Sequence, residues 1–283
     1  LDVDNTAEKE NIRWRTVGDD GLIAFARGKN DTLPCSPCEI YPEVRKLWAG
    51  WVDRILATGV DGMSIRSSSH GTLTDEPQEY GFNDVVVEAY RERYGEDLLG
   101  DAGDLKKLAR LRGEYYTDFI RETSRKVRRA GKRMQVHLHP DLFRDVSNPR
   151  PGKGSSANIH FDWKGWLKEG LADGATMRLN RFEGITDPET GIAHRGPLSR
   201  ILDEEVTLDM LTVAEETGVP VYLNGFAALV NSDEFASDMG SIYNDRRFAG
   251  FDIYENASIQ LPTPDGSQLL PIEGFIKDIR AKA

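Results

Sequence analysis

Short apolar, β-rich runs, each ending in a polar or charged residue, alternate along this chain with helix-sized amphipathic stretches. The runs are Leu22–Arg27 (LIAFAR), Val60–Arg66 (VDGMSIR), Met134–His139 (MQVHLH), Ala175–Asn180 (ATMRLN), Val219–Asn224 (VPVYLN) and Phe251–Asn256 (FDIYEN). Helices are expected near Pro42–Thr58, Asp84–Tyr94, Asp104–Ala130, Asp162–Leu171, Thr207–Thr217 and Ser232–Asn244. In the first of them Val44, Leu47, Trp48, Trp51, Val52, Ile55 and Leu56 keep helical spacing. Pro42 suits its first turn, and Gly59 ends it ahead of Val60. Strands separated by helices pair in parallel through crossover connections, so the pattern predicts an α/β fold.

In such sheets chemistry collects at the carboxyl ends of the strands. Arg66, His137, His139, Arg178, Asn224 and Glu255 all fall at or near those ends. His137 and His139 are strand neighbours i and i+2, so both face one way. They suit ligand binding or proton shuttling, and a metal pair would need a third ligand such as His70 or Glu79. Asp61 and Asp173 open runs instead of closing them and are read as structural. Trp163 and Trp166, three residues apart on a helix, are read as core. The long helix near Asp104–Ala130 is dense in Arg and Lys, which predicts a solvated face carrying i,i+4 ion pairs.

Two segments stand outside the alternation. The gap between the second and third runs holds a Ser/His loop (Ser67–Thr74) and extra helix, expected at the active-site face of a barrel. Asp141–Asn158 is polar and rich in Gly and Pro and is expected to be a surface loop or lid. Its Gly152-Lys153-Gly154-Ser155 lacks the rest of a phosphate-loop pattern. Residues 1–20 read as an N-terminal arm and residues 21–283 as one domain.

Charge narrows the partners. There are 36 Lys and Arg against 47 Asp and Glu, a net charge of −11. That disfavours a nucleic-acid surface, which needs a basic face. No apolar run approaches the roughly 20 residues of a membrane span. The chain begins at Leu1, which reads as a processed or trimmed form, and a periplasmic or secreted location is the expectation. Cys35-Ser-Pro-Cys38 sits among prolines and reads as a loop, with a local disulfide, a metal half-site and a redox pair as alternatives. No G-x-S-x-G elbow, H-E-x-x-H pair or G-x-G-x-x-G turn is present, and nothing in the pattern calls for a cofactor or a metal.

Several stretches carry a resemblance. Tyr41-Pro42-Glu43-Val44-Arg45 and Gly59-Val60-Asp61-Gly62-Met63-Ser64-Ile65-Arg66 are two of them. Others are Tyr80-Gly81-Phe82-Asn83, Val87-Glu88-Ala89-Tyr90-Arg91-Glu92-Arg93-Tyr94-Gly95, and Asp162-Trp163 through Trp166, Glu169-Gly170-Leu171 and Asp173. Together, over about residues 40–260, they resemble bacterial glycoside-hydrolase-like TIM-barrel proteins of the family-10-like kind. The resemblance implies a (β/α)8 TIM-barrel-like fold. This chain would supply about strands three to eight, and the first two would precede Leu1.

It also implies hydrolysis of a glycosidic bond by two carboxyl groups, with Glu255 as first candidate and Glu79 as second. Arg66, His70, His137, His139, Arg178 and Asn224 would bind substrate. Where many such proteins carry an acidic residue, the second run here ends in Arg66. An arginine there suits a carboxylate or sulfate on a bacterial or algal acidic polysaccharide. The rival readings are a non-catalytic carbohydrate-binding module of a larger protein and a metal-dependent hydrolase built on His137 and His139.

Overall fold

The computed structural model describes residues 38–66, 81–101, 103–138, 159–178, 185–186, 193–194, 205–226, 244–254, 260–262 and 269–271. The run at Leu22–Arg27, the helix expected at Ser232–Asn244 except its last residue, the lid segment, Cys35, His70, Glu79, His139 and Glu255 lie outside these residues. Contacts divide the chain into two units, Leu1–Asp173 and Gly174–Ala283.

The first unit contains α1 (Pro42–Leu56), β1 (Gly62–Arg66), α2 (Asp84–Tyr94), α3 (Leu105–Arg129), β2 (Arg133–Leu138) and α4 (Trp163–Lys168). Strands β1 and β2 run parallel, with Met63 opposite Met134, Ile65 opposite Val136 and Arg66 opposite His137. Helix α3 is the long element of the crossover between them, and it packs on α1, α2 and β2. As predicted, α1 starts at Pro42, and Gly59 (φ 82°) takes the left-handed conformation that ends the turn beyond it.

The apolar stripe of α1 is narrower than its spacing suggests. Val44, Ala49 and Val52 are buried, but Trp51 and Ile55 are exposed. Seven apolar residues over four turns exceed what one packing face covers. Trp51 instead lies beneath the Arg54 guanidinium, 5.3 Å from its ring centre.

Helix α3 departs from expectation in another way. Its basic residues pair mainly with other elements, although Arg121 also meets Asp118 one turn away (3.1 Å). Lys126 bonds Asp53 on α1 (2.6 Å), and Arg121 grips Glu169 with two nitrogens (2.8 and 2.9 Å). Arg112 is wholly buried and holds the wholly buried Glu39 through two bonds of 2.6 and 3.0 Å. Gly81 makes room for it. Its φ is 101°, and a β-carbon there would collide with the Arg112 guanidinium. Around this pair lies an apolar cluster of Cys38, Ile40, Phe82, Val86, Val87, Tyr90, Leu98, Leu108 and Leu111. Cys38 carries a free thiol, and burial pushes its pKa up to about 12, so it is packed as an inert hydrophobe.

Trp163 and Trp166 are core residues, as their spacing predicts. Trp166 donates its indole N–H to the Thr117 hydroxyl (2.9 Å) and packs with Tyr116 and Phe161.

The second unit contains β3 (Gly174–Arg178), β4 (Ile185–Thr186), β5 (Ala193–His194), α5 (Glu205–Thr217), β6 (Val221–Phe226), β7 (Gly250–Tyr254), β8 (Gln260–Pro262) and β9 (Leu269–Pro271). Strands β3, β6 and β7 are parallel neighbours in that order. The two antiparallel pairs, β4 with β5 and β8 with β9, were not foreseen. Strands of two or three residues are too short to show a period. One face of the β3–β6 pair is apolar, with Ala175, Met177, Val221 and Leu223 buried. Helix α5 buries Met210, Leu211, Val213 and Ala214, and its Thr207 hydroxyl meets the Met177 sulfur at 4.0 Å. Parallel strands joined by helices make both units α/β.

Candidate functional site

Alternation along a strand sends every second residue to the same face, and register aligns those residues across neighbours. On β1 and β2 this separates Met63, Ile65, Met134 and Val136 from Ser64, Arg66, Gln135 and His137. Arg66 and His137, both expected in a site, are thus register partners at the carboxyl ends of parallel strands. His137 is buried and Arg66 is exposed.

In the second unit the face opposite the apolar one carries two successive polar rows. The inner row runs Thr176, Tyr222, Gly250, and the outer row runs Arg178, Asn224, Asp252. Arg178 and Asn224, two more expected site residues, are therefore register partners also. Gly250 leaves room for its neighbour, because a β-carbon there would stand 3.3 Å from the Tyr222 ring.

Two members of these rows are buried without being satisfied. Thr176 is 2% exposed and Asn224 is 6% exposed, and neither Thr176 Oγ1 nor Asn224 Oδ1 has a hydrogen-bond partner among the described residues. Leaving such an atom unmatched costs about 1–3 kcal/mol. Asp252 beside them is open to solvent at one side, yet partial burial raises its carboxyl pKa above the ordinary aspartate value. The Thr176 hydroxyl lies beside this carboxyl and acts in the opposite sense, favouring the charged form.

Thr176 and Asp252 were missed in the sequence. Each sits one step inside the strand end, where alternation counted back from Arg178 and Tyr254 would have placed them on the polar face.

Of the aspartates read as structural, Asp173 is bonded to β2 through its side chain, and Asp61 through its backbone alone. Asp173 accepts from the Met134 amide (2.9 Å), and its own amide donates to the Met134 carbonyl (2.7 Å). Asp61 precedes β1, and its carbonyl accepts from the Arg133 amide (3.2 Å). Among the described residues no three His, Cys, Asp or Glu side chains converge to hold a metal ion. No helix among them is long and apolar enough to cross a membrane.

No protein-family model matches the chain, and no curated protein sequence matches it. Among solved structures it is similar to the catalytic domain of β-amylase from Paenibacillus polymyxa, with 11% identity and a TM-score of 0.49 over 91% of this chain and 73% of that one. It is also similar to the PgaB (BpsB) glycoside hydrolase domain from Bordetella bronchiseptica, with 12% identity and a TM-score of 0.46 over 87% of this chain. There the chain spans 65% of the other, just under two thirds. Both scores lie below 0.5, so neither likeness carries a function to this chain.

Proposed function

We propose that this protein is a glycoside hydrolase on a (β/α)8 TIM-barrel-like frame, with residues 21–283 as one catalytic domain, acting on an acidic or sulfated polysaccharide. The observation that carries this reading is the Asn224–Asp252 register pair. It sets a carboxyl whose charged form is disfavoured beside an amide, on the polar face of the parallel strands β6 and β7. Polar groups gathered on one such face suit a carbohydrate. Hydrolysis needs two carboxyl groups, about 5–5.5 Å apart for retention or about 6.5–9.5 Å for inversion. Glu255, immediately beyond β7, and Glu79 are the residues we assign to that chemistry. Arg66 and Arg178 supply positive charge for an anionic substituent, and His70, His137, His139 and Asn224 bind hydroxyls.

One observation favours the rival of a non-catalytic carbohydrate-binding module. Asp252 is the single carboxyl residue in β1, β2, β3, β6 and β7. One carboxyl suffices to bind a sugar and does not suffice for two-carboxylate hydrolysis.

The test is release of reducing ends from neutral, uronic and sulfated polysaccharides by the purified chain and by Glu255→Gln. Cleavage of one class, lost in the variant, supports the hydrolase. Retention of a polysaccharide with no cleavage by the parent chain overturns it in favour of the binding module.

A further inference from the structure

We propose that Thr176, Tyr222, Asn224 and Asp252 form a subsite for a sugar ring, in which Asp252 and Asn224 take adjacent ring hydroxyls and Tyr222 underlies the ring. The proposal rests on the carbohydrate reading above and adds to it three residues that the sequence did not single out.

Four observations converge. Register puts these residues on two adjacent rows of one sheet face, across three parallel strands. Two buried polar atoms on those rows, Thr176 Oγ1 and Asn224 Oδ1, lack partners. In a native fold such atoms mark a place where water or ligand completes the bonding. Asp252 is the accessible member, and a carboxyl oxygen pair matches two neighbouring hydroxyls, just as an amide offers one donor and one acceptor. Finally, Tyr222 is half-buried with its ring against Gly250, where no side chain competes for space. An aromatic surface beside convergent polar groups suits a sugar, whose ring has apolar C–H faces and polar edges.

The strands explain why the site is stable enough to exist. The opposite face of β3 and β6 is packed under α5, so the rows are held by a rigid frame and not by loops. The cost of the unmatched atoms is carried by that packing, as is common where function sets the residue.

Two measurements on the full chain test this. The first is the melting temperature of Thr176→Val, which keeps shape and removes the hydroxyl. An unmatched hydroxyl held for binding predicts no loss, and a rise of up to about 3 °C. A fall of that size means the hydroxyl is bonded within the fold and overturns the proposal.

The second is retardation in gels containing neutral, uronic or sulfated polysaccharide. Asp252→Ala and Asn224→Ala, checked by circular dichroism for folding, should weaken retention by tenfold or more. Tyr222→Leu should do likewise. Retention equal to the parent chain in the Asp252 and Asn224 variants overturns the subsite, even where hydrolysis is observed and the hydrolase reading stands. Weakened retention in a chain that never cleaves upholds the subsite while the hydrolase reading falls. A parent chain retarded by no polysaccharide of the three classes overturns both.

Discussion

The two units treat some of their polar groups differently. In the first, several are bonded between elements. Glu39 meets Arg112 with both oxygens, Trp166 meets Thr117, and Asp173 is bonded to Met134 through both side chain and backbone. The second leaves Thr176 and Asn224 unmatched beside a carboxyl that burial disfavours as an anion. Thr123 in the first unit also has an unmatched hydroxyl, but it lies in the middle of α3, with no carboxyl in register beside it. Matched burial fixes a core, whereas unmatched burial on an orderly face reserves bonding capacity for something outside the chain. The difference makes the Glu39–Arg112 and Trp166–Thr117 pairs framework and marks the β3, β6 and β7 rows as a place for a ligand.

The largest effect is expected where a matched pair of the first unit is unmatched. Removing one partner of a buried ion pair leaves an uncompensated charge, at a cost of about 3–5 kcal/mol. Arg112→Leu should lower the urea unfolding free energy by that amount. The double change Glu39→Leu with Arg112→Leu should lose less than the single one, because no charge is then stranded. If Arg112→Leu costs under about 1 kcal/mol, the pair is not the framework that the geometry describes.

Most of the framework was legible along the chain, and the reason lies in periodicity. Five of the six β-rich runs coincide with β1, β2, β3, β6 and β7, and α1, α2 and α3 fall where apolar spacing places them. Arg112 was not legible. In a helix dense with basic residues it reads as solvated, and its partner Glu39 is 73 positions away. The candidate site was half legible. Arg66 and Arg178 end their strands and His137 and Asn224 lie within two residues of theirs, positions that can be read directly. Thr176 and Asp252 need the register of β3, β6 and β7, which depends on pairing between segments distant in sequence. In FDIYEN, alternation groups Asp252 with Tyr254. The alignment of Asp252 with Asn224 comes only from strand pairing.

A second prediction sharpens the unmatched half. Burial raises the Asp252 pKa, so between the unfolded value, about 3.9, and the raised folded value the native state holds the extra proton. Stability therefore declines as pH rises through that window, and the contribution is favourable only below it. Asp252→Asn removes the decline. Melting temperatures from about pH 3 to about pH 7 should show the variant gaining on the parent chain as pH rises. A parent chain that instead gains with pH would mean that its carboxylate is ion-paired, and the second unit would then match its charges as the first does.

The smallest effect is expected at the surface of the first unit, where Arg121 holds Glu169 in two-pronged geometry while both remain about 40% exposed. The Arg121 guanidinium keeps the Glu169 pKa below the ordinary glutamate range. Here the sign is reversed. Stability from the pair is present above the unfolded pKa, about 4.3, and is lost as pH falls through the lower folded value. Solvent screening limits it to about 0.2–1 kcal/mol. Glu169→Gln should therefore cost a fraction of what Arg112→Leu costs, and the difference from the parent chain should shrink in about 1 M salt, where the screening length falls to about 3 Å. The Glu39–Arg112 pair, sealed from ions, should keep its full effect in the same salt. Of two bidentate Arg–Glu pairs in one unit, one then loses its effect in salt and the other keeps it, which isolates burial, and not pairing geometry, as the source of the difference.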